Sequence, residues 1–402
     1  MSSSQGGGPR RITAVALLAF ALIGCEQKEL VSIPRTSVNH TLFVSYVALG
    51  NSLTAGFQSA GIVDSTQAES YAAIIAHQAG TRYAYAALTY PGCPPPIVNF
   101  LTGATLGGAG APICSLRDPS SVTATLNNVA VPGAASNDPT AATTGNSNAL
   151  TTFILGGESQ VQRALDANPT FVSIWIGNND ALEPALTGFA SGVPTPVDTF
   201  TTRYDAMMQQ LTSGAKGLKG LLIGVVDVTA SAALFPVDSL INDPVLKAEF
   251  NAAVTGNPNN NVPINADCNG AHALISIEFV AAVHAGQIPA AVGCSDLDPF
   301  TLDLNKQAAV TGSVQAYNAH IQTAASSAGF AYFDPNPLLA ALKAVGAVPT
   351  VPNLTSATAP FGAFISLDGI HPTALAHQYL ANAMIKAINQ KYAVAIDTVA
   401  HQ

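Results

Sequence analysis

Two near-continuous apolar runs, residues 170–176 and 220–228, constrain the fold of this chain more than any other feature. A strand that is apolar on both faces is buried on both faces, which is typical of parallel sheets covered by helices on either side. Helix-compatible segments separate or follow these runs, at residues 160–167, 198–211 and 306–328. This alternation predicts an α/β fold in which a parallel sheet lies between two layers of helices.

The first strand candidate lies within residues 42–49 and ends at the turn Gly50-Asn51-Ser52-Leu53. A serine that directly follows a strand lies at the C-terminal edge of a sheet, where open α/β folds bind ligands. The alternative is an ordinary strand-to-helix turn in which the serine caps the helix. The turn by itself leaves both interpretations open.

Glycines and polar residues also follow the later strand candidates and precede the last predicted helix. The first is Gly133, which follows a short strand candidate at residues 126–131, and the later ones are Gly177-Asn178-Asn179-Asp180 and Asp368-Gly369-Ile370-His371. Because parallel strands with right-handed crossovers end at one edge of the sheet, we expect these residues to converge with Ser52.

The side-chain types in this set suit acyl transfer. A serine hydroxyl such as that of Ser52 needs a base to remove its proton, and the unperturbed pKa of an imidazole such as His371 lies near neutrality. Asp368, three residues earlier, can accept a hydrogen bond from the imidazole and fix its tautomer. The N–H groups of Ser52 and Gly133 and the amide of Asn179 are candidate oxyanion donors. This chemistry requires no metal ion and no organic cofactor.

The four blocks, in this order, resemble the SGNH hydrolase superfamily, which includes the GDSL esterases and lipases. The family has a Gly-Asp-Ser-Leu turn, an isolated glycine, a Gly-x-Asn-Asp turn and an Asp-x-x-His block, and the match spans residues 42–391. The resemblance implies a flavodoxin-like three-layer α/β/α sandwich with about five parallel strands. It also implies a serine ester hydrolase that works through an acyl-enzyme. The implied residues are a triad of Ser52, Asp368 and His371 and an oxyanion hole formed by Ser52, Gly133 and Asn179.

Asn51 departs from the family pattern, which usually has an aspartate at this position. The asparagine can still hydrogen-bond across the turn but carries no charge, and the family's aspartate is not the triad acid. This departure and the long insertions keep a second hypothesis open, a non-catalytic lipoprotein that binds a glycan or lipid. A lipid-anchored structural protein would leave the ordered polar set unexplained. An α/β-hydrolase is disfavoured because the chain has no Gly-x-Ser-x-Gly sequence.

The N-terminus has the pattern of an export signal. Arg10 and Arg11 precede an apolar run, residues 12–24, that is too short for a comfortable membrane span but suits a signal peptide. The run ends at Cys25 and resembles a bacterial lipobox, in which that cysteine is lipidated. A plain secretory signal with an incidental Cys25 is the alternative.

On the lipoprotein hypothesis, residues 1–24 are the signal peptide and residues 25–41 are the lipidated cysteine and a tether. The expected location is then the bacterial cell envelope, with Glu26 favouring the outer membrane. Residues 42–391 form the hydrolase domain, and residues 392–402 are a C-terminal tail. The formal net charge of -9 argues against a nucleic-acid partner.

Residues 230–304 break the alternation of strands and helices and are predicted to be an insertion, a cap or a substrate loop. They contain one helix candidate, residues 271–285, and the sequence shows no second core. Apolar residues here and in residues 91–110 are expected to line an acyl pocket, which favours a lipase or carboxylesterase. The many Asn and Thr residues in the same loops would equally suit an acylated glycan, and thioester cleavage is a further possibility.

Four cysteines follow the lipobox, and four cysteines allow three disulfide pairings. They are Cys93, Cys114, Cys268 and Cys294. Pairing of sequence neighbours would join Cys93 to Cys114 and Cys268 to Cys294. A metal site is not predicted, because the spacings include no C-x-x-C or H-x-x-x-H pattern.

Overall fold

A computed structural model describes residues 41–108, 125–141 and 149–400 of the chain. The predicted signal peptide, Cys25 and nearly all of the tether lie outside the described residues, so they stay predictions. Cys114 also lies outside them. Cys93 is disulfide-bonded, and Cys268 forms a disulfide with Cys294.

The described residues form both strands and helices, in the following order along the chain. The strands are β1 (Tyr46–Gly50), β2 (Ile97–Asn99), β3 (Ala104–Thr105), β4 (Phe171–Trp175), β5 (Lys219–Ile223), β6 (Leu234–Pro236), β7 (Leu274–Ser276), β8 (Thr301–Leu302) and β9 (Ala331–Phe333). The helices are α1 (Ser52–Ala55), α2 (Asp64–Ala68), α3 (Tyr71–Ala79), α4 (Ala149–Leu155), α5 (Gln160–Asp166), α6 (Asn179–Leu186), α7 (Val197–Gly214), α8 (Val237–Asn242), α9 (Pro244–Thr255), α10 (Glu278–His284), α11 (Leu304–Ala328), α12 (Asn336–Ala344) and α13 (Ala374–Tyr392). None of these described helices has both the length and the apolar character needed to cross a bilayer.

The central sheet is parallel, with the strand order β1–β4–β5–β9. The predicted strand at residues 126–131 is not a regular strand, but it hydrogen-bonds to the free edge of β1. The Ala48 amide donates to the Asn127 carbonyl (2.7 Å), and the Val129 amide donates to the Ala48 carbonyl (2.9 Å). With this segment counted at the edge, the order becomes the 2-1-3-4-5 arrangement of flavodoxin-like folds.

Strands β1 and β4 are buried at every residue and β5 at all but its first, as the apolar runs predicted. Val47 and Leu49 of β1 pack in a core cluster with α5, α7 and α11. Tyr46 and Ala48, which alternate with them, pack on the opposite face with α3 and α13. Because side chains point alternately to the two faces of a strand, the result is a three-layer α/β/α sandwich.

The segment between β5 and α11 forms a small subdomain rather than a simple loop. Its strands β6, β7 and β8 form an antiparallel sheet, and α8, α9 and α10 pack around their own cluster, which includes Phe235, Phe250 and Phe279. The helix predicted at residues 271–285 is confirmed only over Glu278–His284 (α10), and the expectation of a single helix and no second core in this segment was wrong. Residues 274–276 pair with neighbouring strands instead, because tertiary pairing overrides local helix preference.

Candidate active site

The turn after β1 buries Ser52 at the start of α1, where the residue is only 8% exposed. Gly50 precedes it with φ = 154°, and its amide donates to Gln160 Oε1 (2.9 Å). A Cβ at Gly50 would lie 2.4 Å from Thr54 Oγ1 and 2.5 Å from the Trp175 carbonyl oxygen. Only glycine therefore fits where β1 ends and the chain turns to present Ser52.

Asn51 caps α1, since its Oδ1 accepts a hydrogen bond from the Leu53 amide (3.1 Å). The residue is buried, and its Nδ2 has no hydrogen-bond partner among the described residues. Burying a neutral amide here costs less than burying an unpaired carboxylate would. The asparagine thus keeps the turn's hydrogen bond without placing a charge beside Ser52.

Ser52, His371 and Asp368 form a continuous chain of hydrogen bonds. His371 Nε2 lies 2.8 Å from Ser52 Oγ, and His371 Nδ1 lies 2.8 Å from Asp368 Oδ2. With Nδ1–H donating to the carboxylate, Nε2 is left as the acceptor that faces the serine hydroxyl. The ring of Phe57 packs against the imidazole with centroids 4.8 Å apart. The structure therefore joins residues that are 319 positions apart in the chain.

Asp368 accepts hydrogen bonds at both carboxylate oxygens. Its Oδ1 accepts from the amides of His371 (2.8 Å) and Ile370 (2.9 Å) and from Ser366 Oγ (3.1 Å), and Oδ2 also accepts from the Ala60 amide (2.7 Å). Burial raises the pKa of Asp368, but the His371 charge and these hydrogen bonds outweigh it and lower the pKa to about 2. The carboxylate is therefore ionised across the whole neutral range.

A left-handed turn at Ser59 and Ala60 supplies part of this support. Both residues have positive φ, 54° and 57°, which is uncommon for residues other than glycine. Besides the bond from Ala60 to Asp368, the Ser59 amide donates to Ser366 Oγ (2.8 Å). No sequence pattern singled out this turn, because its role depends on contacts with a loop more than 300 positions away.

Asn179 begins α6 and lines the same cavity as Ser52 and His371. Its Nδ2 donates one hydrogen bond to the Ala134 carbonyl (2.8 Å), which fixes the amide and leaves a second N–H. Gly133, next to Ala134, has φ = 82° in an exposed turn that follows the segment paired with β1. The block around Asn179 therefore contacts the block around Gly133, as their places at strand ends predicted.

Asp180 ties these two blocks together a second time. Its carboxylate accepts from both the amide (2.8 Å) and the hydroxyl (2.6 Å) of Ser136. Burial raises the pKa of Asp180, while the hydrogen bonds from Ser136 oppose that shift. Sequence reasoning identified Asp180 only as part of the motif and missed Ser136.

An apolar cavity of about 120 Å³ opens at this constellation. Ser52, Asn179 and His371 lie on its polar side, and aliphatic and aromatic side chains form the rest. Those side chains include Trp175, Leu182, Val226, Val228, Leu338, Leu339, Leu342, Val348, Phe364 and Leu380. An apolar space beside a serine and an imidazole suits an ester with a hydrocarbon group.

The expected source of the pocket was largely wrong. None of the described residues of segment 91–110, which are residues 91–108, lines the cavity, and of segment 230–300 only residues 230–232 do. The walls come instead from α12, from residues 226–228 and from the chain around the start of α13. The leucines of α12 carry no sequence signal that distinguishes a cavity wall from an ordinary core-facing stripe.

Comparison with known proteins identifies the family. The model of the GDSL-like Lipase/Acylhydrolase family matches residues 46–384. A solved structure from Parabacteroides merdae, assigned to the GDSL-like lipases, is 12% identical, with 85% of this chain and 94% of that chain covered and a TM-score of 0.39. An extracellular lipase from Streptomyces rimosus is 15% identical, with 86% and 99% covered and a TM-score of 0.35. A search of curated proteins gave no match. Because the family model spans most of the sequence, this chain belongs to the GDSL-like lipase/acylhydrolase family and is a hydrolase of ester bonds.

Proposed function

We propose that the protein cleaves carboxylic esters with Ser52 as nucleophile and His371 as general base and general acid. The Asp368 carboxylate orients the imidazole of His371 and stabilises the positive charge that it gains. The observation that carries this proposal is the unbroken set of hydrogen bonds from Ser52 Oγ through His371 to Asp368, each 2.8 Å long. Ser52 and His371 lie at the polar end of the apolar cavity, where an ester carbonyl can reach the Ser52 hydroxyl.

The proposed reaction has two steps. Ser52 Oγ attacks the carbonyl carbon while its proton moves to His371 Nε2, and the tetrahedral intermediate then releases the alcohol as His371 returns that proton to the leaving oxygen. Water, deprotonated by His371, attacks the acyl-enzyme, and collapse of the second intermediate frees the acid and restores the Ser52 hydroxyl. Asp368 stays ionised throughout because its pKa is about 2.

The oxyanion of each intermediate is proposed to accept hydrogen bonds from the Ser52 and Gly133 amides and from Asn179 Nδ2. Two observations support this role for Asn179. Its side chain lines the cavity beside Ser52, and the bond to the Ala134 carbonyl holds the amide in place before substrate binds. Donors fixed in advance are effective because they need no reorganisation when charge develops.

The test is Ser52→Ala, assayed by hydrolysis of a short p-nitrophenyl ester. We expect turnover to fall by about 10⁴- to 10⁶-fold, the range seen when a triad nucleophile is removed. Ser213→Ala, an exposed serine on α7, is the matched control and should keep wild-type turnover. Unchanged melting temperature and circular dichroism would show that the Ser52 variant is folded.

A fluorophosphonate probe separates this proposal from a non-catalytic binding protein. Rapid labelling of the wild-type protein at Ser52, and loss of labelling in Ser52→Ala, is the expected result. A wild-type protein that folds, binds lipid or glycan and resists the probe would contradict the proposal and favour the binding protein.

We also propose that the domain is anchored in the bacterial cell envelope through a lipid on Cys25. The support is the sequence alone, namely Arg10 and Arg11, the apolar run and the cysteine at its end. In cells fed a palmitate analogue, the full chain should incorporate label and fractionate with the outer membrane. The Cys25→Ser variant should lose both, and labelling of that variant would contradict the anchor.

A further inference from the structure

The turn at residues 58–61 has a backbone conformation that its own sequence does not favour. The Gln58 amide donates to the Gly61 carbonyl (2.8 Å), and the Gly61 amide donates to the Gln58 carbonyl (3.0 Å). Between them, Ser59 and Ala60 both have positive φ. This is the pattern of a type I′ turn, which favours Asn-Gly and Gly-Gly because a Cβ is strained at these positions. Strain of this kind persists where other contacts hold the backbone, and it is frequent at functional sites.

Three hydrogen bonds join this turn to the loop that carries Asp368. The Ser59 amide donates to Ser366 Oγ (2.8 Å). In the opposite direction, the Leu367 amide donates to Ser59 Oγ (3.2 Å). The Ala60 amide donates directly to Asp368 Oδ2 (2.7 Å). The unfavourable turn is therefore held by the same loop that it helps to hold.

The Ser366 hydroxyl has a defined orientation in this network. Its Oγ lies 2.8 Å from the Ser59 amide nitrogen and 3.1 Å from Asp368 Oδ1. Because a backbone N–H only donates and an ionised carboxylate only accepts, the hydroxyl accepts from Ser59 and donates to Asp368. A hydroxyl that accepts one hydrogen bond is polarised and donates more strongly in the next. The turn thus strengthens the bond from Ser366 to the carboxylate.

Ser366 lies behind the reacting atoms and not among them. The residue is only 4% exposed, and its amide donates to the His371 carbonyl (2.8 Å). Of the described residues that line the cavity beside Ser52, Ser366 is not one. Its hydroxyl can therefore act on the reaction only through Asp368. Because the site is buried, bulk water does not readily replace a hydrogen bond that is lost there.

We propose that Ser366 is a positioning residue for catalysis, whose hydroxyl stops the Asp368 carboxylate from rotating away from His371. The carboxylate then keeps Oδ2 facing His371 Nδ1 and so keeps the imidazole in place. The strained turn directs two amides to this task, that of Ser59 to the Ser366 hydroxyl and that of Ala60 to the carboxylate. This inference rests on the proposed function, since it assigns a role behind the proposed triad.

The experiment compares Ser366→Ala with Ser59→Ala in the hydrolysis of a p-nitrophenyl ester. Each variant removes one of the two hydroxyls that join the turn to the loop, but only the Ser366 hydroxyl donates to Asp368. We expect Ser366→Ala to lower kcat about 10- to 100-fold with little change in KM, since small displacements of a catalytic group have effects of this size. Ser59→Ala should lower kcat less than about three-fold.

The melting temperatures of both variants show whether the result reflects stability alone. We expect Ser366→Ala and Ser59→Ala to lose similar amounts of stability, because each loses one hydrogen bond between the same two segments. Equal losses of kcat in the two variants would overturn the inference. Ser356→Ala is the matched control in the same loop, since the Ser356 hydroxyl accepts from the Ala359 amide (3.0 Å), and it should keep wild-type turnover.

A double variant tests whether Ser366 acts through Asp368. In the Asp368→Asn background, Ser366→Ala should lower kcat less than about three-fold further, because the carboxylate on which it acts is already gone. A full additional loss of 10- to 100-fold would show that Ser366 acts by another route and would overturn the inference.

A measurement without turnover distinguishes failure of this inference from failure of the proposed function. The His371 Nδ1 proton is held by Asp368, and its exchange with water can be followed by NMR in protein that contains ¹⁵N-histidine. Exchange should be about ten-fold faster in Ser366→Ala than in the wild type or in Ser59→Ala. That result in a protein without esterase activity would reject the proposed function and keep the positioning role. Unchanged exchange and unchanged kcat in Ser366→Ala, with Ser52→Ala inactive, would reject the positioning role and keep the proposed function.

Discussion

The polar rim and the roof of the active-site cleft are built in different ways. The polar rim, comprising Ser52, Gly133, Asn179, Asp368 and His371, lies at strand ends and in tight turns. Asp368 alone accepts bonds from three backbone amides and two side chains. The roof, helix α12, contains no fully buried residue. Asn336 and Lys343 hydrogen-bond to the facing wall, and the leucines of the helix pack against a buried apolar cluster.

This difference matches the demands of the two tasks. The proton transfer and oxyanion binding that we propose for the polar rim need atoms held within a few tenths of an ångström, which the many short hydrogen bonds of the rim can provide. An apolar chain needs only a dry space of about the right size. Substitutions in the polar rim are therefore expected to lower kcat, and substitutions in the roof to change chain-length preference. Four substitutions in and behind the polar rim test this difference between the polar rim and the roof.

Asp368→Asn is expected to have the largest effect, a fall in kcat of about 10⁴-fold, because the amide favours the wrong imidazole tautomer. The ratio of rates for long and short acyl esters should not change, since the roof is untouched. Steady-state kinetics over the acyl series measures both. Asp397→Asn, at an exposed position after α13, is the control. A changed preference for acyl chain length in Asp368→Asn would mean that the polar rim also influences which chain lengths are accepted.

Asn179→Ala is expected to lower kcat by about 10²- to 10³-fold with little change in KM, because the lost donor acts mainly in the transition state. Stopped-flow measurement of acylation with a p-nitrophenyl ester would isolate the affected step. Asn259→Ala, in an exposed loop of the insertion, should behave as wild type. A rise in KM at constant kcat would show that Asn179 only binds substrate.

His377→Gln tests a buried histidine six positions after His371. Burial, with a contribution from the His371 charge, lowers the pKa of His377 to about 3, and its Nδ1 accepts from the Tyr71 amide (3.2 Å). The unfolded chain takes up a proton below about pH 6.5 and the folded protein only near pH 3, so stability falls as the pH drops between these values.

The free energy of unfolding is expected to fall by an amount on the order of 3 kcal/mol between about pH 7 and pH 4.5, as measured by urea unfolding. His377→Gln should show a smaller loss over this range, because glutamine does not titrate. His77→Gln, at an exposed position of α3, should keep the wild-type slope. If both variants keep that slope, another group causes the acid sensitivity.

Ser136→Ala should give the smallest effect, a fall in kcat of about ten-fold with KM unchanged. The substitution removes the hydrogen bond from the Ser136 hydroxyl to Asp180, which should lower the free energy of unfolding by about 1–2 kcal/mol. The turn that carries Gly133 and Ala134 is then held less firmly. Ser136→Thr keeps the hydroxyl and should restore most of the activity. Equal activity of the wild type, Ser136→Ala and Ser136→Thr would show that the turn is held firmly without the Ser136–Asp180 hydrogen bond.

The sequence predicted much of the polar rim because its constraints are local. Gly50 must be glycine where a Cβ would collide with Thr54 and Trp175, and Asp368 and His371 meet within one turn of chain. Apolar runs mark β4 and β5 directly, since both faces of these strands are buried. Residues 126–131 were predicted as a strand and form only edge hydrogen bonds. The side-chain amides of Asn127 and Asn128 donate to backbone carbonyls of β1 and α1.

The cleft itself could not be predicted in the same way. The apolar face of α12 has the spacing of any core-facing helix, and only its place in the fold shows that Leu339 and Leu342 also line the cavity. The subdomain between β5 and α11 was also missed, since its short strands gain their stability from each other rather than from local preference.

From sequence patterns alone we predicted the layered α/β architecture and the polar residues after the strands that are candidates for the site. These follow from periodicity, turn chemistry and residue type, which act over a few neighbouring positions. The packing of whole elements brings His371 to Ser52 across 319 positions, places Ser59 and Ala60 behind Asp368, and sets a helix over the cavity. Such contacts depend on how whole elements pack, and no short stretch of sequence contains that information.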